Sequence, residues 1–447
     1  MAIISPFRAW RYNPDLVPVQ QAVTQPYDKI TPEMQERYYQ ASPYNLVRII
    51  LGKKLASDSA TENVYTRSAQ ALQSWRQAGV LRRDPAPSIY RYTQTFTVPG
   101  LVPVAPGIAP GPEARAERHG FIALGRLEEY HKGIIFRHEQ TLAKPKADRL
   151  DLLRATRAHC GQIFMLYSAA GKVQSLLDSV TASASPEIEV TDEYGILHRI
   201  WKVSDAAVIA AVEAQMKERK LIIADGHHRY ETALTYRNER RATAETGSGL
   251  PAPYDSVMMT FVDMDLPGLV VLPTHRLVFG LPSFSTGQFQ AEARKFFNLE
   301  EVDPALDAVR ATAILRRSGY AGTALLAITA DRAFLLHTPK AVGTAIFGKL
   351  SLRQQALDVV QLHKCLLEGV LHISEEAIRN QQHVSYCRET ADALSQVREG
   401  KVQIAFLMNP ARIEQVRDIA LAEEVLPQKS TDFYPKLLSG LTIYALD

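Results

Sequence analysis

Cysteine is scarce in this chain. Cys160, Cys365 and Cys387 are the three thiols among 447 residues, and none forms a CxxC pair. An odd, sparse count argues against a disulfide framework and suits a reducing compartment. Long apolar runs are lacking too. Nowhere do about 18 apolar residues follow one another, so no transmembrane helix and no membrane partner are expected. Arg8 and Arg11 interrupt the N-terminus before any run of signal length, and the expected location is cytoplasmic. No surplus of one charge sign exists. Fifty-one basic side chains stand against 48 acidic ones, interleaved along the chain, for a formal net charge of +3. Steering toward a polyanion would be weak, so extended nucleic acid is not an expected partner, while a local basic pocket for one small phosphate is compatible. Walker A and kinase glycine-rich loops are missing, as is a helix-turn-helix with a basic stripe. His138-Glu139 lacks the second histidine of HExxH, so a zincin is not supported.

What the sequence does hold is ordinary globular material. Apolar residues make up 46% and charged ones 22%, enough for a large core without metal or disulfide staples. The length suits two or three compact units. Strand patterns fall at 45–51, 89–98, 119–127, 163–167, 187–203, 221–224 and 257–262. Helical patterns fall at 61–79, 205–219 and 230–241. Ser204 is positioned to cap the second of these. The stretch 99–118 is dense in Pro, Gly and Ala without periodicity and reads as a flexible surface loop. After residue 285 a second pattern begins: a helix near 286–297, a hairpin of 323–329 against 333–338, helices at 353–370 and 374–380, a strand at 402–408 and a helix at 411–422. The expectation is an α/β or α+β protein with a mixed sheet, divided into a unit over 1–284 and an α+β C-terminal unit over 285–447 packed on it.

One segment stands out chemically. Leu221-Ile222-Ile223-Ala224 ends in Asp225-Gly226-His227-His228-Arg229-Tyr230, and a helix-compatible stretch follows. Gly226 permits a sharp turn and close approach of a ligand. The first amides of the following helix form an anion seat. Arg229 can grip phosphate bidentately, and His227 or His228 can donate to it or serve as acid or base. Asp225 would be a metal-facing carboxylate or a base. The plain alternative is a strand-to-helix turn whose histidines are satisfied by backbone and whose arginine forms a surface ion pair.

A second polar stretch, 136–149, offers Arg137, His138, Lys144, Lys146 and Arg149 for phosphate contact and Glu139 as a general base; it equally suits a solvated loop entering a helix. Three smaller segments join it. Gln25-Pro26-Tyr27-Asp28 is a turn that could present Asp28. Thr274-His275-Arg276 could add an anion contact through His275 and Arg276. Gln428-Lys429-Ser430-Thr431 offers Lys429 and Ser430.

Asp-Gly-His-His-Arg followed by an aromatic residue and a small-residue helix resembles the phosphate-binding signature of the ParB/sulfiredoxin-like superfamily. That group includes partitioning-protein nucleotide-binding domains, sulfiredoxin and a free-serine kinase. The wider chain is similar to the prokaryotic family of the domain of unknown function numbered one thousand and fifteen. That similarity runs through Pro6-Phe7-Arg8, residues 25–28, Pro43 to Arg48, Phe136 to Thr141, Pro145 to Arg149, residues 224–231, Pro273 to Arg276 and Pro427 to Thr431. The resemblance implies a ParB/sulfiredoxin-like core, with the helical and hairpin part after residue 285 as an addition. It implies a phosphotransferase acting on a small hydroxy-metabolite, with serine or a related hydroxy-amino acid as first acceptor. A nucleotide (ATP or ADP) or pyrophosphate would sit on the 225–229 turn with Mg²⁺, and Glu139 or Asp28 would take the acceptor proton. A nucleotide-responsive regulator of the ParB type, or a phosphatase or nuclease using the same seat, are the alternatives. Sulfinic-acid reduction is disfavoured, because His227 stands where sulfiredoxin carries its cysteine.

Overall fold

The computed structural model describes residues 1–99, 114–139, 143–243, 251–340 and 344–447, with the backbone alone at 143–145 and 344. Two sheets organise them. The larger runs in the order Ile135–Phe136, Leu221–Asp225, Ile163–Tyr167, Ser256–Asp263, Arg115–Arg126, Ile89–Thr97, Leu197–Val203 and Ile188–Thr191, with Ile4–Ser5 also paired to Arg115–Arg126. It is mixed: Leu221–Asp225 is parallel to Ile135–Phe136 but antiparallel to Ile163–Tyr167, which is itself parallel to Ser256–Asp263. The second sheet is antiparallel, in the order Asn298–Val302, Ala333–His337, Ala324–Ile328, Ile404–Met408, His275–Val278 and Val384–Cys387. The fold class is thus the mixed α/β one expected.

The chain does not visit the two sheets in a simple succession. The second sheet takes His275–Val278 from ahead of residue 285, and the C-terminal tail returns to pair with earlier strands. Asp432–Tyr434 pairs with Val270–Leu272, and Tyr444–Ala445 pairs with Ala158–His159. One buried apolar cluster runs without a break from Tyr90, Phe164 and Ile222 to Leu325, Leu366 and Phe406. Burial of that shared surface, rather than linker contacts, holds the two sheets together.

Local signals were mostly obeyed. The apolar run 163–167, the paired strands at 188–191 and 197–203 and the hairpin of 324–328 with 333–337 lie where the pattern put them. Three readings need correction. Residues 45–51 are not a strand. Val47–Ile50 is one helical turn, opened by Asn45, whose Oδ1 accepts the Val47 amide at 2.9 Å. Packed beside Leu72 and Trp75, this turn buries Val47, Ile49 and Ile50 and leaves Arg48 half-buried, too short a stretch to show a helical period. The helix Ala206–Met216 is capped by Asp205, which accepts from Ala207 and Val208, and not by Ser204. The third concerns the 99–118 stretch. Residues 100–113 lie outside the described residues, but 115–118 belong to the strand Arg115–Arg126, and Arg118 is buried.

Candidate functional site

The strand Leu221–Asp225, second from one edge of the larger sheet, is buried on both faces. Ile222 and Ala224 enter one core cluster, while Leu221 and Ile223 enter the other. Its register against Ile163–Tyr167 breaks between Ile223 and Asp225, a bulge that re-aims the last residue. Gly226 then turns at φ +93°, a conformation that disfavours any side chain, and a Cβ there would sit 3.0 Å from Arg229 Nε and Nη2. The helix His227–Thr243 begins at the next residue. The two histidines are therefore its first turn, earlier than the periodicity placed the helix start.

Helical spacing sorts that turn. His227 lies on the inner face with Tyr230, Ala233, Leu234 and Arg237. Its ring packs edge-on to His138 at 4.8 Å, and its Nε2 is buried with no hydrogen-bond partner among the described residues. Burial holds both imidazoles neutral at physiological pH, pushing His138 down to about 4 and His227 well below its ordinary value. Neither supplies a cation to an anion. His138 Nε2 is 2.8 Å from Thr431 Oγ1, tying the strand end to the tail. His228 is half-buried, on the side of the helix facing Asp28, Lys146 and Lys429, and burial lowers its pKa as well.

Arg229 does not reach outward. Its Nη2 donates to Asp225 at 2.8 Å and its Nη1 to the Gln162 carbonyl, so the guanidinium holds the turn in shape instead of presenting a free fork. Asp225 is also contacted by Lys436 at 3.5 Å, which in turn meets Asp432 at 3.0 Å. Lys29, 3.7 Å from Asp432, and Arg388, 2.7 Å from it, complete the network. Four cations (Lys29, Arg229, Arg388, Lys436) thus face two carboxylates in ion-pair contact, with Asp28 as a further acid in the field of Lys29 and Lys436, so cations outnumber carboxylates near the start of the helix. Lys436, Arg229 and Lys29 hold Asp225 below the usual carboxylate range despite its burial.

The candidate residues distribute unevenly around this network. Glu139 accepts the Lys429 amide at 3.0 Å, and burial raises its carboxyl above the ordinary value. Lys429 is exposed, at φ +59°, and its ammonium has no carboxylate in ion-pair contact among the described residues. Ser430 is buried, its hydroxyl turned to the Pro427 carbonyl. Asp28 is exposed in the short helix Tyr27–Lys29, within the field of His228 and Lys436. Arg137 and Lys146 lie at the edge, sharing Glu231 at 3.3 and 2.8 Å. Arg149 is set further back: it pairs with Asp148, donates to the Ile50 carbonyl at 2.6 Å and lies 4.2 Å over the Tyr27 ring, bracing the Asp28 turn. The Lys144 side chain lies outside the described residues.

His275 and Arg276 are not at the seat. Both are buried in the second sheet. His275 pairs with Thr390 Oγ1 at 3.0 Å, and Arg276 donates to the Gln428 and Lys429 carbonyls at 3.4 and 3.2 Å. Arg276 therefore acts on the site through the backbone of the tail. The metal role expected of Asp225 meets a physical obstacle, since Arg229 and Lys436 already compensate its charge. Among the described residues no group of three His, Cys, Asp or Glu could hold a metal ion, so a cation such as Mg²⁺ fits only as a companion of a phosphate ligand.

Sequence reasoning missed Lys29, Asp432, Lys436, Arg388 and Arg118. The Arg118 guanidinium bonds Gln94 and the Tyr434 and Pro435 carbonyls, and Gln94 donates to the Lys436 carbonyl at 2.8 Å. These two side chains fix the segment that carries Lys436. The i,i+4 spacing of Asp432 and Lys436 after the 428–431 stretch was the one available signal. No helix of the described chain is long and apolar enough to cross a membrane.

Among solved structures, a conserved hypothetical protein from Pyrococcus furiosus matches 67% of this chain and 87% of its own at 12% identity and a TM-score of 0.33. A free serine kinase in complex with AMP matches 67% and 83% at 12% identity and a TM-score of 0.34. A C-terminally truncated SbnI from Staphylococcus aureus matches 71% and 85% at 11% identity and a TM-score of 0.33. No curated protein matches the sequence. Residues 4–360 match the family described as "Protein of unknown function (DUF1015)", and the chain belongs to that family.

Proposed function

We propose that the protein is a small-molecule phosphotransferase that moves a phosphoryl group from a nucleotide or pyrophosphate to a hydroxy-amino acid, with its seat at the Gly226 turn. The observation that carries this reading is the excess of cations over carboxylates in the network next to the start of the helix His227–Thr243. An oxyanion placed there would meet backbone amides with no acceptor inside the helix, the free ammonium of Lys429 and the field of Lys436. Arg229 and Asp225 then serve as positioning residues that hold the turn. Glu139 is the favoured proton acceptor: its carboxyl is raised, which brings its affinity for a proton closer to the working pH.

The reading is supported further by the buried, unpartnered Nε2 of His227, a neutral hydrogen-bonding group at the same turn. The test is phosphorus NMR of the full chain with Mg²⁺, ATP, ADP or pyrophosphate, and a panel of serine, threonine and homoserine. A new phosphomonoester resonance tied to one amino acid is the expected result. Release of inorganic phosphate alone would favour the hydrolytic alternative, and nucleotide binding without turnover would favour a regulator; either outcome sinks the transfer reading.

A further inference from the structure

A cleft of about 690 Å³ opens between the two sheets, a volume typical of small-molecule sites. The hollow beside Arg229 measures about 80 Å³. Leu266, Leu269 and Val271, from the connection after the strand Ser256–Asp263, form one apolar wall, and Val359 and Ile413 contribute to the other. Ser430 also lines the cleft.

Six charged side chains interrupt the apolar lining, Asp265, Arg316, Asp358, Arg412, Glu414 and Arg417. Arg417 pairs with Asp418, and Asp265 accepts from Ser168 and the Ala170 amide, whereas Asp358, Arg316 and Arg412 have no salt bridge among the described residues. Asp358 lies at the start of the helix Asp358–Gln361, where it accepts hydrogen bonds from the Thr323 hydroxyl and the Ala324 amide. Arg316, in the last turns of the helix Ala308–Gly319, and Arg412, just ahead of Ile413–Leu421, also line the cleft. Among the described residues none of the three has an oppositely charged side chain in ion-pair contact. Burial raises the Asp358 carboxyl to about 7, with Arg412 as the cation that opposes the shift. A desolvated carboxyl without a counter-ion is costly in an interior otherwise rich in paired charges. A guanidinium fork free of partners is suited to a carboxylate.

We infer that this cleft binds a small amphipathic zwitterion of the size of an apolar dipeptide, its ammonium on Asp358, its carboxylate on Arg316 and Arg412, and its apolar body against Leu266, Leu269 and Val271. This site does not depend on the phosphotransfer reading, and its test does not use turnover. Isothermal titration of the full chain with L-leucyl-L-phenylalanine is expected to give one site with a dissociation constant of about 1 mM or tighter. Arg412→Ala alters an exposed side chain and should weaken binding roughly tenfold, the scale of one charge-assisted bond. Asp358→Asn should do the same for the free dipeptide yet leave the affinity of its N-acetyl derivative unchanged, because that ligand has no ammonium to lose. Absence of binding heat, or equal affinities across the native protein and both variants, overturns the inference. Thermal melting of each variant verifies that it is folded.

Discussion

Replacing Lys436 by methionine tests the charge network most directly. The ammonium stands 3.0 Å from Asp432 and 3.5 Å from Asp225, with side-chain exposures of 10% for Lys436, 11% for Asp432 and 23% for Asp225. At an effective dielectric of about 20, contacts at such separations attract by roughly 5 kcal/mol each before desolvation is subtracted. Removing one partner of a buried pair costs about 3–5 kcal/mol, because the remaining charge is stranded. Here each carboxylate keeps a second cation, Arg229 on Asp225 and Arg388 on Asp432. The expected loss is therefore at the low end, about 3 kcal/mol.

Urea unfolding followed by tryptophan fluorescence reads it through Trp10, Trp75 and Trp201. The pH dependence supplies the sign. Asp225 and Asp432 are both held below the ordinary carboxylate range, so their contribution is present above about pH 4 and fades as pH falls through the folded values. In the variant those values move back up, so the gap between the two proteins should shrink steadily as pH falls below about 4. A second variant, Asp225→Asn with Lys436→Met, should recover at least about 1 kcal/mol through coupling. A loss under about 0.5 kcal/mol, of the size of a surface pair, or one unchanged between neutral and acid pH, would refute the electrostatic account.

Gly226→Ala places a side chain at φ +93° against the Arg229 guanidinium; a cost of about 1–2 kcal/mol in urea is expected, together with loss of nucleotide binding by calorimetry. Near-native values of both would show that the turn tolerates a Cβ. Arg229→Lys retains the charge but cannot serve Asp225 and the Gln162 carbonyl together, so thermal stability should fall despite the conservative change; an unaltered melting curve counts against a positioning role. For Glu139→Gln, the transfer rate should drop by about 10²–10⁴-fold with little change in nucleotide affinity. The native pH–rate profile should rise through a midpoint above the ordinary glutamate value, because burial raises this carboxyl, and that rise should vanish in the variant. A profile that keeps its acid limb assigns the proton to another group.

How much of this was legible beforehand depends on where each residue's partners lie along the chain. The Gly226 turn could be read because its physics is local: an apolar strand, a residue free to take positive φ, and a helix start lie within ten residues. Parts of four segments marked as polar or turn-like do meet at one place: Asp28 of 25–28, Glu139 of 136–149, the turn 225–229 and Lys429 of 428–431. His275 and Arg276 failed as ligand contacts because their residue types suit an anion equally well when they bond the protein's own hydroxyls and carbonyls.

The sequence by itself determined the mixed α/β class, the hairpin of the second sheet and the bend at Gly226, since periodicity and glycine's conformational range act over a few residues. Only the tertiary structure decided which charges are free. Glu231 claims Arg137 and Lys146, Asp225 claims Arg229, and a tail strand more than 200 residues downstream delivers Lys436 to Asp225. Coulomb attraction acts through space and not along the chain, so which groups pair was settled only when the tail folded back across the first sheet.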